Sequence, residues 1–179
     1  MSDTSRIQYY IMCVSAFSNK KGLNQRDAFN YLYDHHGIEF LIDCYDAEHT
    51  LSLEDAVDDL ILVCKNNGGA VRPAFEKPEL VMVNPKVRFM MDYVTTVVVT
   101  CIIEEENLLA DEAMKVFYNS EVFDRLCDPE TGLYRESGGY VYDLYKIEKE
   151  HGRLVQLEQC IVNRERGTVS REQGAGNRE

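Results

Sequence analysis

The chain has 179 residues, of which 45% are apolar and 28% charged, and it carries a formal net charge of −12. Those proportions are ordinary for a folded globular protein with one sizeable core or two small ones. The charge argues against a nucleic-acid partner, because phosphate binding rests on Lys and Arg; it would attract a basic protein, but many acidic proteins use such charge only to stay apart in solution, and that is the more common reading.

Ser5 to Asn19 reads as the first helix, with Ile7, Tyr10, Ile11, Val14 and Phe17 as an apolar stripe and Asn19-Lys20-Lys21-Gly22 as its end. The second starts at the N-cap Asn24 with Asp27 three positions on, turns Ala28, Phe29, Leu32 and Tyr33 inward, and stops near His36-Gly37. A third is expected from Ile38 to Ala47, burying Ile38, Leu41, Ile42 and Tyr45. The fourth is capped by Ser52, with Asp55 at its third position, and ends at Asn66-Asn67-Gly68-Gly69. Its residues Leu53, Ala56, Val57, Leu60, Ile61 and Cys64 form a core face, while Glu54, Asp55, Asp58, Asp59 and Lys65 take the solvent side.

Residues 68–84 break this pattern with Gly68, Gly69, Pro73, Pro78 and the apolar run Leu80-Val81-Met82-Val83, and read as a linker arm packed along the first unit. Asn84-Pro85 then starts another helix, whose stripe is Val87, Met90, Met91, Val94, Val97, Val98, Cys101 and Ile102. The β-branched run from Val94 to Ile103 would also suit a strand. Shifting the sequence against itself by 85 positions favours the helix: Leu23 meets Leu108, Ala28 meets Ala113, Tyr33 meets Tyr118, Leu41 meets Leu126 and Ser52 meets Ser137, with no gap. Apolar positions coincide as well, as in Phe29 with Met114, Ile38 with Phe123 and Leu60 with Tyr145.

The expectation is an all-α protein of two tandem four-helix units. Met91–Glu106 is then the second copy of the first helix, followed by helices at Ala110–Tyr118, Ser120–Cys127 and Ser137–Glu150, with Pro129-Glu130-Thr131-Gly132 as a turn. Arg153–Val162 is expected as a short docked helix. The units are 1–69 and 84–162, with an arm at 70–83 and a disordered tail at 163–179.

The cysteines Cys13, Cys44, Cys64, Cys101, Cys127 and Cys160 are widely spaced, without a C-x-x-C or a histidine cluster, which points to reduced thiols and a cytoplasmic setting. No secretion signal is read at the N-terminus, and the tract Val87–Ile103, with Arg88, Asp92 and its threonines, is a poor membrane span.

Side chains suited to metal binding or acid–base work concentrate at His35-His36, with Glu39 nearby and Glu48-His49 further on. Adjacent histidines point in different directions, whereas a helical zinc site wants ligands at i, i+4, so no metal, cofactor or catalytic residue is expected. His49 and its counterpart Tyr134 share a flat ring with a polar edge and are read as structural corner residues. The segment spanning the second and third helices resembles a helix-turn-helix, but Glu39, Asp43, Asp46 and Glu48 would face phosphates without a Lys or Arg among them. As a partner-contact surface the sequence offers Asp58 and Asp59, Glu104, Glu105 and Glu106, and the tyrosines Tyr9, Tyr31, Tyr140 and Tyr142, read as exposed.

Through A-F-N-Y-L (Ala28–Leu32), G-I-E-F-L (Gly37–Leu41), Y-D-A-E-H-T-L-S (Tyr45–Ser52), D-D-L (Asp58–Leu60) and N-G-G (Asn67–Gly69), residues 8–69 resemble a family of short bacterial helical proteins known only as a domain of unknown function. Through Y-N-S (Tyr118–Ser120) and E-T-G-L-Y-x-E-S (Glu130–Ser137), the second half is similar to a related short family. Members of the first tend to be encoded near ADP-ribosyltransferase-like toxin genes, so the resemblance implies an antitoxin or accessory role. Having both units in one chain departs from the single-domain pattern. The resulting expectation is a non-enzymatic interaction protein with a protein partner, a basic toxin being the candidate, and with homodimer formation left open. The rival is a small metal-dependent hydrolase built on His35, His36 and His49.

Overall fold

The structure is a computed structural model that describes residues 3–69 and 84–152. The expected linker arm at 70–83, the short helix after Gly152 and the tail lie outside the described residues.

Among the described residues the secondary structure is entirely helical. The first half holds α1 (Asp3–Lys21), α2 (Gln25–Asp34), α3 (Gly37–Asp43), α4 (Tyr45–Glu48) and α5 (Leu53–Asn66). The second holds α6 (Pro85–Glu106), α7 (Ala110–Tyr118), α8 (Glu121–Cys127), two short 3-10 turns at Pro129–Thr131 and Leu133–Arg135, and α9 (Gly138–His151). Local chemistry sets most of these starts. The side chains of Asn24, Ser52, Ser120 and Ser137 each accept a hydrogen bond from the backbone N–H three residues on, satisfying a donor that the first helical turn leaves unpaired. The Asn84 side chain accepts from the Lys86 N–H, two residues on, with Pro85 at the first helical position.

The helix expected over Ile38–Ala47 is instead two, α3 and α4, meeting at Cys44 with φ −100° and ψ 12°. Neither Pro nor Gly marks the break; tertiary packing makes it. The bend turns Tyr45 into a cluster with Tyr9 and Tyr10, in edge-to-face contacts at 5.6 and 5.8 Å, and brings Glu48 under cover.

The β-branched stretch of α6 is helical because its polar members are satisfied within the helix. The hydroxyls of Thr95, Thr96 and Thr100 donate to the carbonyls of Met91, Asp92 and Thr96, one turn back, at 2.8 Å each. Val94, Val98, Val99 and Ile102 are buried beside them. The stripe read from the sequence needs one correction: Met90 faces solvent.

α6 packs along α1 and α9, and α2 packs on α7, so buried residues of both halves form one continuous core. Phe29 of α2 stacks on Tyr118 of α7 with ring centroids 4.5 Å apart, and Asn30 and Asn119 exchange reciprocal side-chain hydrogen bonds at 3.0 Å. The two halves are also joined through Arg26, whose Nε donates to the Tyr118 carbonyl at 2.8 Å and whose Nη2 donates to the Ser120 carbonyl. Gly138 opens α9 against α6: a Cβ there would stand 2.4 Å from Val97 Cγ1, so the close approach requires glycine.

Candidate interaction surface

The five acidic residues singled out from the sequence fall on two faces. Asp58 is exposed on α5 and accepts from Lys20 Nζ of α1 at 2.6 Å, while Asp59 is half-buried beside it. At the end of α6, Glu105 accepts from the Tyr142 hydroxyl at 3.1 Å, with Lys146 Nζ at 3.9 Å, and Glu106 pairs with Lys149. Glu104 is exposed and makes no ion pair among the described residues. The exposed pairs, Lys20–Asp58 and Lys146–Glu105, contribute only about 0–1 kcal/mol each, so exchanging one for a cation on a partner costs the fold little.

The tyrosines are not the exposed set the sequence suggested. Tyr142 is buried, its hydroxyl turned to Glu105, and burial followed by the Glu105 hydrogen bond raises its pKa. Tyr9 and Tyr31 are half-buried at the core margin, Tyr31 stacked on Phe17 at 5.8 Å. Tyr140 is exposed. The large apolar side chains that do reach solvent include Phe89, Met90 and Tyr93 of α6; the sequence pattern places Met90 inward and does not single out Phe89 or Tyr93. The usable signal was their i, i+4 spacing off the Val87-Met91-Val94-Val98 stripe, which puts them on an outer face.

The histidines do not converge. His35 Nδ1 lies 3.2 Å from the Asn67 carbonyl, His36 Nδ1 lies 2.6 Å from Glu39 Oε2, and His49 Nδ1 lies 2.7 Å from the Tyr45 carbonyl. The His49 ring also stacks on Tyr45 at 4.6 Å, which fixes it in the corner between α4 and α5. Its register partner Tyr134 is buried, and its hydroxyl accepts from Arg135 Nε at 3.1 Å. His36 holds a left-handed backbone conformation, φ 62°, at the start of α3, on a cleft of about 430 Å³ that Glu39, Asp43 and Asp111 also line. Among the described residues no three or more His, Cys, Asp or Glu side chains are grouped so as to hold a metal ion.

Three of the thiols are poor nucleophiles. Burial pushes Cys13 and Cys127 up to about 12 and Cys64 up to about 11, so each is a protonated thiol at neutral pH. Cys127 takes part in a polar cluster where the halves meet: its thiol donates to Gln25 Oε1 at 3.6 Å, and Gln25 Nε2 donates to Ser15 Oγ at 3.1 Å and to Asp92 Oδ1 at 2.9 Å. Burial raises the Asp92 carboxyl, and the Gln25 hydrogen bond only partly offsets that. Tyr118 is fully buried alongside, its hydroxyl without a hydrogen-bond partner among the described residues.

No helix among the described residues is long and apolar enough to cross a membrane. Residues 8–67, which run from α1 to the end of α5, match a family described as a protein of unknown function, DUF3791. The first half of the chain is thus similar to a domain to which no function is assigned. No curated protein and no solved structure matches the chain.

Proposed function

We propose that the protein is a non-enzymatic, acidic interaction module of the bacterial cytoplasm that binds a basic protein partner, acting as antitoxin or accessory protein to an ADP-ribosyltransferase-like toxin. The observation that carries this reading is the disposition of the ionisable groups. Buried thiols are held protonated and each histidine is engaged by its own neighbour, while Asp58, Glu104 and Glu105 stand at the surface in exchangeable pairs or none. Such charges steer encounter and select partners more than they add affinity. The test is association kinetics with the product of the neighbouring gene at rising salt. The on-rate should fall steeply with salt, and Asp58→Asn with Asp59→Asn should lower it without changing the melting temperature. A salt-insensitive on-rate, or an unchanged one in the double variant, would leave the charge a role in solubility alone.

The same reading treats the halves as tandem copies of one four-helix unit. α5 at 53–66 and α9 at 138–151 stand 85 positions apart at both ends, and α1 and α6 end at 21 and 106. Equivalent capping roles follow: Ser52→Ala and Ser137→Ala should each cost about 1 kcal/mol in urea denaturation. Costs that differ by more than about that amount would count against equivalence.

A further inference from the structure

The outer face of α6 carries Lys86, Phe89, Met90 and Tyr93 at i, i+3, i+4 and i+7, so all four lie on one side of the helix. Phe89 is 61% exposed, Tyr93 57% and Met90 39%. Single exposed apolar residues need no explanation, but a stripe of three does. Eighty-five positions earlier, α1 carries Thr4, Ser5 and Gln8, so the apolar face is particular to the second half.

The stripe borders a cleft of about 220 Å³ between α1 and α6, with Met12 and Ala16 of α1, Leu53 of α5, and Phe89, Tyr93 and Arg88 of α6 among its walls. On α1 the lining runs from Gln8 to Asn19, a rise of about 16 Å and so about three helical turns. Its chemistry is mostly apolar, and its two charged lining residues, Arg88 and Asp92, are of opposite sign. Where α6 begins, Lys86 stands exposed in the first turn, in no ion pair among the described residues, together with the positive end of the helix dipole, while the charge of half-buried Arg88 acts on the Asp92 carboxyl. The carboxylate in the cleft, Asp92, is turned to Gln25.

We propose that this cleft receives a three-turn amphipathic helix from a partner protein, its apolar side chains at i, i+4 and i+7 against Phe89, Tyr93 and Met12. A carboxylate at one end of that helix meets Lys86. The proposal rests on the interaction-module reading and supplies the apolar anchor that charged faces do not.

The test uses the full chain and a fluorescein-labelled three-turn helical peptide with Leu at i, i+4 and i+7 and Glu in its last turn. Control peptides carry Lys in place of Glu, or Ser in place of Leu. The Glu peptide should bind tightest, and Phe89→Ser or Tyr93→Ser should each weaken it about tenfold or more. Lys86→Glu should reverse the preference between the Glu and Lys peptides. Because these side chains are exposed, circular dichroism melts of the variants should match wild type. Asp58→Asn with Asp59→Asn should leave peptide binding unchanged, which separates failure here from failure of the acidic-face reading. Absence of binding by every peptide, equal binding of the Ser control, or indifference to Phe89→Ser would overturn the proposal. A wild-type dimer that Phe89→Ser dissociates would overturn it too, by assigning the cleft to a second copy of the chain.

Discussion

Arg26→Ala should destabilise the protein by about 3 kcal/mol, the sum of two hydrogen bonds from a charged donor at about 1.5 kcal/mol each. Those bonds run from Nε to the carbonyl of Tyr118, the last residue of α7, at 2.8 Å and from Nη2 to the carbonyl of Ser120, the N-cap of α8. The Tyr118 carbonyl, in the last turn of α7, lacks an intrahelical partner, and the Ser120 carbonyl keeps only a long bond at 3.5 Å from the Asp124 N–H, so the variant leaves both short of a donor where they are partly buried. The third contact, Nη1 to Asp124 Oδ2 at 2.9 Å, joins side chains 29% and 55% exposed and should contribute at most about 1 kcal/mol. The carbonyl contacts should therefore dominate, and a double-mutant cycle tests that ranking. Asp124→Ala alone should cost under about 1 kcal/mol, with a coupling to Arg26→Ala of similar size. Arg26→Lys should recover only part of the loss, because an ammonium cannot address two carbonyls in the fixed fork of a guanidinium. Urea denaturation gives these differences directly, and the melting temperature of Arg26→Ala should fall by roughly 6–12 °C. If Asp124→Ala costs as much as Arg26→Ala and the coupling accounts for all of it, the ion pair rather than the helix-end carbonyls holds the halves together, and the reasoning fails.

Gly138→Ala should destabilise by about 1–3 kcal/mol through overpacking against Val97, and Val97→Ala in the same chain should relieve part of it. Additive costs in denaturant titrations would refute the contact. Burial raises the Asp92 carboxyl above its ordinary 3.8, so the folded chain binds that proton more tightly than the unfolded chain. The group therefore lowers stability as pH climbs from about 3.8 through the raised folded value. Asp92→Asn keeps an acceptor for Gln25 and removes this loss, so its stability relative to wild type should grow across that interval and then level off; a constant difference would argue against the shift. Tyr118→Phe should stabilise by about 1 kcal/mol, since it removes a buried hydroxyl that makes no hydrogen bond among the described residues while keeping the stack on Phe29. A loss of stability in chemical denaturation would contradict this.

Much of the helical layout follows from the sequence, because its causes are local. Asn24, Ser52, Ser120 and Ser137 are followed three positions on by the amide they cap, and apolar residues at steps of three and four need only one side of a helix to be covered. The stripes of α1 and α5 are therefore legible without any neighbour. Tertiary packing decided what those periods leave open. The break at Cys44 arises because Tyr45 meets Tyr9 and Tyr10, residues more than thirty positions away. Tyr142 reads as exposed and is buried because α9 lies against the end of α6, and Met90 reads as inward and faces out because the side of α6 that is covered depends on where α1 and α9 lie. Asp58 and Glu104 were legible as surface charge, since polar residues opposite a stripe reach solvent whatever the fold. That Arg26 clamps α7, and that Gln25 joins Ser15 and Asp92, depends on pairs up to 94 positions apart. Local propensity carries no information about such pairs, because they exist only once two helices have been brought side by side.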